Sequence, residues 1–216
     1  MSHTHALRLN ADMTPMSVVP VLSGHGKSGA IELLFEEKVY TVESVPGKFV
    51  RSQTLVIPWP SVIAMRRYTH HRPRVKFGPK AVILRDGGVC SYCGFRPLRP
   101  DGRIDVDQLT HDHVIPCAQA RDGRVFLPWS RKWVNLTGWE NATTACATCN
   151  NRKKRDRTPA QAGMVLRTLP RVPTANDVIR MALSRLRHIP EQWLPYLPEL
   201  PRFEVEDRAL ELVSAG

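Results

Sequence analysis

From Pro15 to Pro60 short apolar segments alternate with turn residues, a rhythm that predicts short elements of both kinds. Residues 1–12 read as a short tail leading into a strand, Ala6 to Asn10. Ser28 to Phe35 suits a short helix. Lys38 to Glu43 and Thr54 to Ile57, rich in Val, Thr and Ile, predict strands, the second ended by Pro58 and Pro60. Lys80 to Arg85 predicts a helix, with Gly87 and Gly88 ending it. Across Asn176 to His188, Val178, Ile179, Ala182, Leu183 and Leu186 recur at helical spacing, and Asp177 stands near the start. That stripe predicts a helix face turned to a core. Pro190, Pro195, Pro198 and Pro201, with Trp193 and Tyr196 between them, predict an irregular tail over the domain surface. The chain contains no internal repeat and no low-complexity tract.

Composition sharpens this picture. Hydrophobic residues make up 42% of the 216, enough for a packed core and against global disorder. Lys plus Arg number 31 against 20 Asp plus Glu, a formal charge of +11 that points to a polyanionic partner, nucleic acid ahead of an anionic membrane. No apolar run approaches the ~20 residues that span a bilayer. The N-terminus lacks the apolar stretch and cleavage site of a secretory signal, so the expected compartment is the cytoplasm, where thiols stay reduced. One basic stretch, from Arg66 through His70, Arg72 and Lys76 to Lys80, suits either a phosphate backbone or a solvated connector.

Reduced thiols change the meaning of the five cysteines. Cys90 and Cys93 form one CxxC pair, and Cys146 and Cys149 form another. Each knuckle turns tightly enough for both thiolates to face one ion, and two knuckles complete the closed tetrahedral site of a structural Zn2+; redox-active pairs are the alternative. Such a site closes a long loop and couples metal binding to folding. Cys117 has no partner in this pattern and reads as a small semi-buried thiol.

Candidate chemistry lies between the knuckles, in Thr110-His111-Asp112-His113-Val114-Ile115-Pro116. Strand alternation sends Asp112 and His113 to opposite faces, unless a bulge or strand end lets both reach one pocket. A carboxylate suits Mg2+ or Mn2+, and a neutral imidazole suits proton abstraction from water. Further on, Asn141 follows Trp139-Glu140. Asn150 adjoins Cys149, so a rigid knuckle would fix its side chain.

The order CxxC, Asp-His-Val-Ile-Pro, Trp-Glu-Asn and CxxCNxxK resembles the HNH endonuclease family of bacteria and phages, in its form with Asn as the last signature residue. The resemblance is strongest over Lys80 to Gly163. It extends upstream through Leu7-Arg8-Leu9-Asn10-Ala11 and Pro60-Ser61-Val62-Ile63 with Arg66-Arg67-Tyr68. It implies an α+β fold with a ββα-metal core, two antiparallel strands and a helix around one catalytic cation. It further implies that His113 is the general base and that Asp112 and Asn150 hold Mg2+, Mn2+ or another divalent cation. Asn141 would brace the loop and orient the base. Cys90, Cys93, Cys146 and Cys149 would hold the zinc, and Arg152, Lys153, Lys154 and Arg155 would anchor phosphates without reading sequence.

On this basis the expected organisation is an α/β N-terminal region over 1–76, a nuclease core over 77–167, and a helix with a Pro-rich tail over 168–216. The expected partner is double-stranded DNA and not a membrane, with a homodimer possible if both strands are cut. The stretch from Cys117 to Gly138 is longer than in compact family members. It carries Phe126, Trp129 and Trp133 beside Arg121, Arg124, Arg131 and Lys132, and suits either a DNA-contacting hairpin or a surface loop packed by its own aromatics. His111 is a further candidate for touching metal or substrate. The competing function is a zinc-stabilised DNA-binding module without catalysis.

Overall fold

A computed structural model describes residues 4–24, 28–70, 75–186 and 188–197. The chain divides into two compact units, Met1–Pro73 with Val178–Gly216, and Arg74–Asp177. From Val178 onward the chain belongs with the N-terminal unit.

The first unit contains β1 (His5–Leu9), β2 (Pro15–Pro20), α1 (Ala30–Phe35), β3 (Val39–Arg51) and β4 (Val56–Met65). They form one sheet in the order β2-β1-β4-β3. The central pair is parallel, Leu7 opposite Val62 and Leu9 opposite Ala64. Central strands covered on both faces are apolar on both faces, which explains the run Val62-Ile63-Ala64. Leu7, Leu9, Val62 and Ala64 pack on Ile179, Leu183 and Trp193. Ala6, Val39 and Ile63 pack on Val21, Ala30 and Leu33 from α1 and its approach.

Two sequence expectations are corrected in this unit. Pro58 and Pro60 do not end β4, which continues to Met65. Proline removes a ladder donor, but here the β3–β4 register slips between Ser44 and Phe49. The slip absorbs Val45 to Lys48, with Gly47 at φ +69°, so the prolines sit beside a bulge instead of a regular ladder. Nor is the chain after Pro190 a surface tail throughout. Residues Glu191–Tyr196 form a 3-10 turn that buries Trp193 completely. Its indole N–H donates to the Ser61 carbonyl at 2.8 Å and to Ser61 Oγ at 3.1 Å, so the large ring is buried without losing its polar bond. Pro198 and Pro201 lie outside the described residues.

The second unit contains α2 (Pro79–Arg85), β5 (Leu109–His113), β6 (Arg124–Leu127), β7 (Lys132–Asn135) and β8 (Ala142–Cys146). A π-helical segment, Thr148–Lys154, follows β8. The last helix, α3 (Ala175–Leu183), begins in this unit and continues in the first. β5 pairs with β8, and β6 pairs with β7, both antiparallel. Arg85 locks the end of α2 onto the unit. Its buried guanidinium pairs with Asp86 at 2.7 Å and donates to the carbonyls of Trp139, Ala142 and Arg171. Asp86 in turn accepts from the backbone and hydroxyl of Thr144 on β8. No helix among the described residues is long and apolar enough to cross a membrane.

Candidate functional site

The two CxxC pairs converge. Gly87 and Gly88, both at positive φ, turn the chain out of α2 into Cys90 and Cys93. Cys146 ends β8, and Cys149 stands in the first turn of the π-helical segment. The four Sγ atoms all lie within 4.8 Å of one another, and those of Cys93 and Cys146 are 3.8 Å apart. A tetrahedral zinc with Zn–S bonds of ~2.3 Å separates its sulfurs by about 3.8 Å, so the cluster fits a zinc ion. The thiols fit it chemically as well. Burial, then hydrogen bonding with Cys93 and Cys146, pushes the Cys149 thiol up, and burial also pushes Cys93 up. Burial acts the same way on Cys90, but backbone N–H groups outweigh it and hold that thiol below its ordinary value. Thiols pushed up in this way give up their protons readily to a dication. Cys117 stands apart and is exposed, not semi-buried.

β5 delivers the central motif. It pairs with β8 in unbroken register, Asp112 opposite Thr143 and His113 opposite Ala142, with no bulge between them. Alternation therefore governs the strand. His111 and His113 share one face, their rings edge-on with centroids 5.5 Å apart. Thr110 and Asp112 share the other. A bulge that would bring Asp112 and His113 to one pocket is absent.

Asp112 is 6% exposed and both its oxygens are engaged. Tyr92, from inside the first knuckle, donates its hydroxyl to Oδ2 at 2.5 Å, and Lys154 places Nζ 3.0 Å from Oδ1. The same ammonium donates to the His113 carbonyl at 2.8 Å. Burial, then the charge and hydrogen bond of Asp112, keeps the Tyr92 hydroxyl firmly protonated, so it acts as a fixed donor. Asn150 approaches the same strand face, its amide donating to Thr110 Oγ1 at 3.0 Å. That bond uses an amide proton and leaves the amide oxygen available as a ligand.

The expected surface role of Lys154 is corrected by this arrangement. Arg152, Lys153 and Arg155 are exposed, whereas Lys154 is fully buried against Asp112. The cause is the π-helical winding, in which the Arg155 N–H reaches back to the Asn150 carbonyl at 2.9 Å. His113 lies on the opposite face, half-buried. Its Nε2 is buried and has no hydrogen-bond partner among the described residues. Burial, then the charge of His111, lowers its pKa, with Asp112 opposing and Lys154 reinforcing the shift. The shift favours the neutral imidazole.

Asn141 is completely buried and acts as a clamp. Its Oδ1 accepts from the Ile115 N–H at 2.9 Å, and its Nδ2 donates to the carbonyls of Ile115 and Leu136. It fixes the backbone just beyond His113 and ties it to the end of β7. Tyr92 and Thr110 were not among the sequence candidates. Tyr92 carried a usable signal, its place between two metal-binding cysteines. Lys154 carried none, because nothing in a run of basic residues marks the one that turns inward.

Residues 6–73 match the family model described as HNH endonuclease-associated, N-terminal domain. The match takes in both upstream segments that carried the sequence resemblance. Together with the four-cysteine cluster, it fits an HNH-family protein. Neither the search of curated proteins nor the search of solved structures returned a match.

The cysteine cluster and the buried Asp112–Lys154 pair each carry a testable outcome. Cys146→Ser should abolish zinc binding and unfold the Arg74–Asp177 unit; elemental analysis and circular dichroism of the purified variant check both. Lys154→Met leaves the Asp112 charge buried and unpaired, which should cost about 3–5 kcal/mol in urea unfolding. Lys153→Met, on the exposed side, should stay within about 0.5 kcal/mol.

Proposed function

We propose that this protein is a metal-dependent DNA endonuclease of the HNH type, hydrolysing phosphodiester bonds. The observation that carries the proposal is the sequence of connected elements: the strand ending in His113 pairs with the strand that runs into the second knuckle and on into Asn150. Two antiparallel strands and a helical segment are the parts of a ββα-metal core, and here they carry Asp112, His113 and Asn150.

In this mechanism the neutral His113 imidazole accepts a proton from water as the water attacks phosphorus. Asn141 is a positioning residue. By fixing Ile115 it holds the strand end from which the His113 ring projects. Asp112 and the amide oxygen of Asn150 would hold a divalent cation such as Mg2+ or Mn2+, which would supply positive charge against the negative charge developing on the leaving oxygen. Tyr92 orients the Asp112 carboxylate. Lys154 already neutralises part of its charge. Arg152, Lys153 and Arg155, exposed on the same segment, contact phosphates on either side of the cut. DNA is the partner this charge distribution favours.

Two observations favour the second reading, a zinc-stabilised DNA-binding module without catalysis. Asp112 and His113 project from opposite faces of β5, with no bulge to bring them to one pocket. Both Asp112 oxygens are already bonded to Tyr92 and Lys154, so a cation must share or displace those bonds. Plasmid nicking separates the two. Wild-type protein with Mg2+ or Mn2+ should nick supercoiled DNA, and His113→Ala should lower the rate roughly 10²- to 10⁴-fold. DNA binding that persists with no nicking under any divalent cation sinks the enzyme. The pH profile gives an independent check. Because burial lowers the His113 pKa, its neutral form persists below the ordinary histidine value of 6.5. The acid limb of kcat/KM should therefore fall below pH 6.5, with activity lost as His113 gains its proton.

A further inference from the structure

The hairpin of β6 and β7 has two unlike faces. Val125, Leu127 and Val134 turn inward onto Ile115, Trp129 and Leu136. On the other face Phe126 and Trp133 stand directly opposite each other, 42% and 45% exposed, with ring centroids 5.8 Å apart. Four exposed cations lie on the same segment: Arg121, Arg124, Arg131 and Lys132. None of the four has an ion-pair partner among the described residues, although other arginines of this unit, Arg85, Arg99 and Arg171, are paired with carboxylates. The Arg124 guanidinium donates to the Trp133 carbonyl at 2.9 Å, which keeps its charge beside the aromatic pair.

Large aromatic side chains left in water at the centre of a basic surface call for a partner with flat apolar faces and negative charge. Unpaired nucleotides offer both. In a duplex each base face is covered by its neighbours, and the grooves present polar edges. In an unpaired strand the base faces are open to stack on aromatic rings while cations track the phosphates. The hairpin is also fixed to the candidate site. Asn141 holds Leu136, the residue after β7, and Ile115, two residues beyond His113, with one amide group.

We propose that the Phe126–Trp133 face is a stacking platform for unpaired bases of a DNA strand, which makes locally single-stranded DNA the preferred substrate. The proposal deepens the nuclease reading and rests on it for the word substrate. The binding itself is separable from cleavage.

The test uses the full-length, zinc-loaded protein without added Mg2+ or Mn2+, and fluorescence anisotropy with a labelled single-stranded oligonucleotide and the same sequence as a duplex. Phe126→Ala and Trp133→Ala should each weaken single-strand binding roughly 5- to 150-fold, and Trp133→Phe should retain most of it. Duplex binding should change less than about twofold in all three. Retained zinc and an unchanged circular dichroism spectrum establish that the variants fold, as expected for exposed positions. Lys132→Ala should reduce the slope of log K against log salt by about 0.7 for the single strand. Equal losses on single strand and duplex, or no loss on either, overturn the platform. A platform that binds single strands in a protein that never nicks would leave this inference standing while the enzyme reading falls.

Discussion

The meeting of four cysteine sulfurs is the constraint on which the second unit depends. Between Cys93 and Cys146 the chain has no large core of its own; its buried groups are small and separate, one around the cysteines themselves and one under the β6–β7 hairpin. A closed tetrahedral site holds the ends of that excursion together and removes much of the loop entropy that a small core cannot offset. The same knuckles also aim side chains. Tyr92 lies within the first and bonds Asp112; Asn150 follows the second and bonds Thr110, two residues earlier on the same strand face. A metal held there would link folding to the alignment of groups that never touch it.

Asp112 is the second point of dependence. A carboxylate this deeply buried is tolerable only with compensation, and it receives a neutral donor from one side and an ammonium from the other. Lys154 then ties the carboxylate to the backbone of His113. The two candidate chemical groups sit on opposite strand faces, yet one lysine joins them through main chain and charge.

Much of this was legible in the sequence. The four-cysteine cluster follows from spacing alone, because a CxxC turn has few ways to point its thiols. In the N-terminal unit β1 and the beginnings of β3 and β4 were legible, and β2 was not. Pro58 and Pro60 misled because the partner strand, not β4 itself, supplies the irregularity that accommodates them. Trp193 misled because proline-rich surroundings suggest exposure, while burial depended on a carbonyl and hydroxyl at Ser61, far away in sequence. At the candidate site, Asn141 was legible and its clamp geometry was not. Asp112 and His113 carried no mark of their separate environments beyond simple alternation, which the strand obeys.

The π-helical winding after Cys149 has a consequence for how this protein can vary. A turn that closes between Asn150 and Arg155 contains one residue more than an ordinary helical turn, and that extra residue brings an ammonium beneath the strand. Each residue added or removed in a helix rotates everything beyond it by about 100°. Single substitutions at Arg152, Lys153 or Arg155 leave this phase untouched, whereas a one-residue deletion would swing Lys154 away from Asp112 and turn a different side chain toward it. The segment works as a gear of fixed tooth count: its exposed residues can change, and its length cannot.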